Sequence, residues 1–169
     1  VADMVLADDN FATIVEAVEE GRRIYDNIRK AIAFLLSSNL AEVISVFVAS
    51  LVGFTILEPT HLLWINLITD CFPALAMAME VAEPGLMKRS PRNADDGVFA
   101  GGMWLDCLVQ GIVIAALTLV SYFVGLSIEN VPLSDVISGA NLGRDGMTMA
   151  FLTLSMVEMF HSFNMRSRR

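Results

Sequence analysis

A chain of 169 residues, 55% hydrophobic and only 18% charged, is too apolar for an ordinary soluble domain, and its apolar residues cluster in blocks of membrane length. A net charge of −8 offers no overall basic balance, and no nucleic-acid partner is expected. The two cysteines, Cys71 and Cys107, have neither zinc spacing nor the pattern of a disulfide scaffold, and read as small buried residues within apolar runs.

Residues 1–11, VADMVLADDNF, open on a strand-like run and close on capping residues, with Asp9 or Asn10 as N-cap of the next helix. This reads as a short α/β remnant, so the chain is expected to be an internal piece of something longer. Residues 13–20 have the spacing of an amphipathic helix, interrupted at Gly21. From Arg22 the helical pattern resumes through Ile24, Ile28, Ile32 and Leu35, with Arg22, Arg23, Arg29 and Lys30 on the remaining surface. It runs without a breaker into the first apolar block, 31–56, so one helix over 22–57 is expected, wet at its start and lipid-buried at its end. Glu58-Pro59 then predicts a short turn and an antiparallel hairpin into a second span at 62–81.

A polar, Pro- and Gly-marked connection covers 83–102, a third span 103–126, an acidic connection 127–146 and a fourth span 147–165. The expected fold is therefore an all-α membrane bundle of four transmembrane helices, the first extended as a cytoplasmic stalk. Trp64 and Trp104, each near a block's start, suit an interfacial aromatic belt, and His161 near the end of the fourth block reads as interfacial too. With four spans, ten of the eleven Lys and Arg residues fall on one side, which the positive-inside rule places in the cytoplasm. The N-terminus, the 83–102 connection and the C-terminus are expected there.

The informative stretch is LLWINLITDCFPALA, residues 62–76. At roughly 100° per residue, Asn66, Thr69 and Asp70 share one side of a helix, and Pro73 removes the backbone donor that would pair with the Thr69 carbonyl. A carboxylate in such a segment costs about 2.5–3.5 kcal/mol even on the mildest scales, which makes it a functional-site candidate. The first span adds Asn39 and Glu42, three residues apart and so neighbours on a helix, and the fourth adds Glu158. Together they form a hard, all-oxygen set. Calcium takes 6–8 oxygens in flexible geometry, whereas magnesium holds its water in a tight octahedron. Without an ion the carboxylates repel one another and are poorly solvated, so protons would replace the metal.

These residues resemble a known family. DMVLADDNF and VEEGRRIYDNIRK look like the exit from the phosphorylation domain of P-type ATPases into the stalk, over residues 1–21 and beyond. SSNLAEV, LLWINLITD and MTMAFLTLSMVEM are similar to the fifth, sixth and eighth membrane helices of the calcium-pump group, closest to the sarcoplasmic-reticulum type. The resemblance implies that Asn39, Glu42, Thr69, Asp70 and Glu158 are ligands of one calcium site, with Asn66 and Asp70 in a second. Sodium–potassium pumps carry Asp where this chain has Asn66, and Cys71 replaces the glycine of the closest relatives.

By the same resemblance Ca²⁺ is the transported ion, while ATP and Mg²⁺ act only in cytoplasmic domains outside this stretch. There is no Asp-Lys-Thr-Gly-Thr motif, so the piece itself is not expected to hydrolyse ATP. Its implied partners are the lipid bilayer, the remaining membrane helices and the cytoplasmic domains, which the 83–102 connection would contact. The residues alone leave two other readings: a pump for Mn²⁺ or another hard cation, and a non-catalytic four-span channel or scaffold whose buried acids only bind helices together.

Overall fold

The computed structural model describes residues 5, 10–91 and 97–166, and among these the chain is helical, with no strand. The helices are α1 (Phe11–Val52), α2 (Pro59–Ala78), α3 (Met103–Glu129), the short α4 (Leu133–Ile137) and α5 (Arg144–Arg166). A single 3₁₀ turn, Leu86–Lys88, lies in the connection between α2 and α3. The α/β remnant expected at the N-terminus falls on residues 1–4 and 6–9, outside the described residues.

Helix α1 starts where the sequence supplies a cap: the Asn10 side chain accepts the Ala12 N–H at 3.0 Å. It ends at Gly53, whose φ of 97° favours a residue without Cβ and whose N–H reaches the Ala49 carbonyl. Gly21 does not interrupt it, contrary to expectation. One interior glycine costs only about 0.5–1 kcal/mol, whereas breaking there would require fresh capping of two new helix ends. At 1.5 Å per residue, these 42 residues extend roughly 60 Å, twice the thickness of a bilayer's hydrocarbon core. Half of α1 must therefore lie outside any membrane that the other half crosses.

Inside the bundle, α1 buries a small residue at every fourth position: Ala33, Ser37, Ala41, Ser45 and Ala49. Such a stripe lets helix backbones approach closely where lipid gives no hydrophobic drive to association. Glycine plays the same part between α3 and α5. A Cβ added at Gly125 would stand 2.6 Å from the Gly146 Cα, so the two helices cross there almost backbone to backbone. Phe54 stacks on Tyr122 at 4.7 Å and closes the end of the core nearest the α1–α2 turn.

The stalk differs from its sequence pattern. Ile24 and Ile28 are exposed, whereas Asn27 and Lys30 are buried, so the inward face is polar. The partner explains the choice: that face meets main-chain carbonyls and carboxylates at and beyond the end of α2, and at the end of α5, rather than an apolar surface. Arg22 donates to the carbonyls of Leu86 and Arg89 at 3.2 and 2.9 Å, and Asn27 to that of Glu80 at 2.7 Å. Arg89 in turn donates to Asp26 at 2.7 Å and Glu83 at 2.9 Å.

Among the described residues three helices, α1, α2 and α3, are long and apolar enough to cross a membrane. The fourth expected span lies within α5, which is 23 residues long but carries Arg144, Asp145, Glu158 and Arg166 and does not reach the same apolarity.

Candidate cation site

Helix α2 is not uniform, and its irregularity lies at the polar stretch. Residues Ile65–Asp70 form a π-helical segment between two α-helical ones. Pro73 has no N–H to give the Thr69 carbonyl, so the regular ladder lacks a rung there and a wider turn forms instead. The Cys71 thiol donates into this turn, reaching the Asn66 carbonyl at 3.2 Å. Cys71 is exposed, not buried as its apolar surroundings suggested, because it lies on the outer side of α2; Cys107 is buried as expected.

The π turn presents its polar side chains to α1 and α5 in two hydrogen-bonded pairs. Asn66 donates through Nδ2 to both Glu42 oxygens, at 3.2 and 2.9 Å, and to the Leu62 carbonyl at 2.9 Å. Thr69 donates through Oγ1 to Glu158 Oε2 at 2.8 Å and packs against the Ile65 carbonyl at 2.9 Å. Asp70 is 1% exposed, and neither of its oxygens has a hydrogen-bond partner. Glu158 is fully buried, with Oε1 likewise unpartnered. Glu42, Asn66, Thr69, Asp70 and Glu158 thus gather in one region from three helices.

Asn39 does not join them. Its side chain is exposed and donates to the Leu35 carbonyl of its own helix at 2.7 Å. Nor do the acids crowd together: among the described residues no group of three or more His, Cys, Asp or Glu side chains is close enough to hold a metal ion. Asn66 pairs with Glu42 and Thr69 with Glu158, while Asp70 has neither donor.

One contributor escaped the sequence reading. Ser38 is fully buried, and its hydroxyl has no hydrogen-bond partner. Its spacing of four from Glu42, one helical turn, was the available signal. His161 is also misplaced by that reading. It is buried, 2.8 Å from the Ser37 hydroxyl through Nε2 and beside the Phe34 ring, because α5 turns this face to α1 rather than to the interface.

A groove of about 500 Å³ runs between α2 and α5, lined by Ile68, Thr69, Phe72, Pro73 and Met159 among others, and reaches the cluster at Thr69.

Residues 54–169 match the family described as cation transporting ATPase, C-terminus. Over 173 residues, 99% of the chain, the sequence is 44% identical to a protein named calcium-transporting ATPase 1 from Bacillus cereus. It is 39% identical over 98% of its length to a calcium-transporting ATPase of Listeria monocytogenes. Over 96% of its length it is 35% identical to the endoplasmic reticulum-type calcium-transporting ATPase 3 of Arabidopsis thaliana. The chain spans only 18–19% of the length of these curated relatives.

Proposed function

The chain belongs to the cation-transporting ATPase family, and from that premise we propose that it is part of the membrane domain of an ATP-driven calcium pump, supplying oxygen ligands to the transported ion. The observation that carries this reading is Asp70, a carboxylate enclosed in an apolar helix with no donor on either oxygen. An ionised carboxylate so placed is costly unless a cation or a proton meets it. A divalent cation drawing in Asp70, Glu42 and Glu158 would offset that cost together with the repulsion between them. When the ion leaves, protons take its place, which links cation movement to proton movement in the opposite direction.

In this reading the ligands are Asn39, Glu42, Asn66, Thr69, Asp70 and Glu158. Asn66 and Thr69 presently donate to the carboxylates, and their oxygens are free to turn to an ion once it replaces them as the positive partner. Asn39 stands one turn before Glu42 on the open side of α1, where further membrane helices of the parent would complete the set. The fourth span is α5, whose charged positions face the bundle or its ends. The N-terminus, the 83–102 connection and the C-terminus lie in the cytoplasm. ATP and Mg²⁺ are handled by cytoplasmic domains outside this chain, whose movements reach the site through α1. Calcium is preferred over Mn²⁺ because it is the ion in the names of the relatives.

A second reading is favoured by the pairing itself. Asn66–Glu42 and Thr69–Glu158 are bonds between helices, which a scaffold or channel of the non-catalytic kind would also use.

The test is Ca²⁺-dependent ATPase activity of the full-length parent, wild type beside Asp70→Asn. Stimulation at micromolar Ca²⁺ that the variant loses supports the pump and places Asp70 in its transport site. Activity indifferent to Ca²⁺ and to the substitution rejects that site and leaves the scaffold.

A further inference from the structure

Lys30 is a charged residue only 4% exposed, at the point where α1 passes from stalk to bundle. Its ammonium has two partners from distant parts of the chain. It donates to Glu83 Oε1 at 2.6 Å, just beyond α2, and to the main-chain carbonyl of Arg166 at 2.9 Å, at the end of α5. The second contact is chemically apt. The last carbonyls of a helix have no partner within it and carry its partial negative charge, so a cation there makes a charge-assisted bond.

Lys30 also begins a series of contacts along the α1–α5 seam. Seven residues further along α1, Ser37 meets His161, five residues back from Arg166. His161 and Glu158 are buried on the same side of α5, and Glu158 is where Thr69 reaches across from α2. Arg166 and Glu158 are eight residues apart, roughly 12 Å of helix. A helix transmits a shift of one end to the other nearly unchanged, so fixing the Arg166 carbonyl also fixes the depth of Glu158.

Building on the cation-site reading, we propose that Lys30 is a positioning residue: its ammonium pins the cytoplasmic end of α5 to α1 and sets how α5 presents Glu158 to Thr69 and Asp70. The same ammonium holds Glu83, so movement of the stalk carries the exits of α2 and α5 together. These two helices bring Asp70 and Glu158 to the site.

The experiment titrates Ca²⁺ against ATPase activity in the full-length parent for wild type, Lys30→Met and Lys30→Arg, each with and without Thr69→Ala. Lys30→Met should weaken apparent Ca²⁺ affinity about ten-fold, the scale of one charge-assisted bond, with the maximal rate largely kept. Lys30→Arg, which restores the charge and the donors, should recover most of the affinity. In the Thr69→Ala background the loss should shrink, because Glu158 has already lost the partner to which Lys30 presents it. If Lys30→Met does not fold, Lys30→Gln is read by the same criteria.

Unchanged affinity in an active variant overturns the proposal. An equal loss in both backgrounds also overturns it, since that marks a general structural role. A wild type without Ca²⁺-stimulated turnover rejects the cation-site reading and this proposal with it.

Discussion

Two carboxylates show how placement decides what a charged residue does. Asp70 has no donor on either oxygen, whereas Glu83 accepts from Lys30 and from Arg89. The Lys30 hydrogen bond, helped by Arg89 and opposed by partial burial, holds the Glu83 carboxyl below its ordinary value of 4.5. The folded state therefore binds this proton more weakly than the unfolded chain does. The resulting stability is fully present above the ordinary value and is lost as the pH falls through it towards the folded one. Glu83→Gln should accordingly lower the unfolding temperature in detergent near neutral pH. The gap from wild type should narrow as the pH falls below the ordinary value; a gap independent of pH would show that Glu83 does not contribute through its charge.

At the scale of elements, irregularities carry most of the information. Pro73 marks α2 as a helix that cannot keep a regular ladder, and the π turn of Ile65–Asp70 is the outcome. The consequence is spatial: Asn66 points to α1, Thr69 to α5, and Asp70 lies enclosed between them. Between α3 and α5 the governing feature is the Gly125–Gly146 approach. Gly125→Ala would place a methyl group 2.6 Å from the facing Cα, so the helices must separate. We expect a loss of about 1–3 kcal/mol, measured by denaturation in mixed micelles. Wild-type stability in this variant would mean that the two helices do not pack as closely as the structure has them.

Across the whole molecule, the orientation proposed for the two polar connections has a direct check. With Cys71 and Cys107 replaced by serine, Ser90→Cys and Ser138→Cys place single exposed thiols in the two polar connections. A membrane-impermeant maleimide should label position 90 only from the cytoplasmic side of sealed vesicles and position 138 only from the opposite side. Labelling of both from one side would remove α3 as a crossing helix and overturn the four-span topology. The polar contacts of the stalk bear on this picture. Arg22, Asn27 and Lys30 bind the connection that follows α2, so the extramembrane half of α1 is held to the bundle rather than projecting freely.

The amino-acid sequence by itself determined the helical class, a capping residue at Asp9 or Asn10, the helix that runs from the stalk into the first span, the hairpin at Glu58-Pro59, and the polar candidates on three helices, but not the continuity of α1 through Gly21. These are local or periodic properties: apolar block length, cap chemistry and proline position act within a few residues of one another. It also located the irregularity in α2, because a missing N–H is a property of one residue. Only the tertiary structure decided which of the polar residues meet. Asn39 and Glu42 share a helix and a spacing, yet one bonds to its own backbone and the other to Asn66, since α2 lies against one of these faces and not the other. The stalk's inward face is polar, not isoleucine-lined, because it meets carbonyls and carboxylates at and beyond the end of α2 and at the end of α5. His161 and Ser38 are buried for a similar reason, which no periodicity within a single helix contains: burial depends on what the neighbouring helix brings to that side.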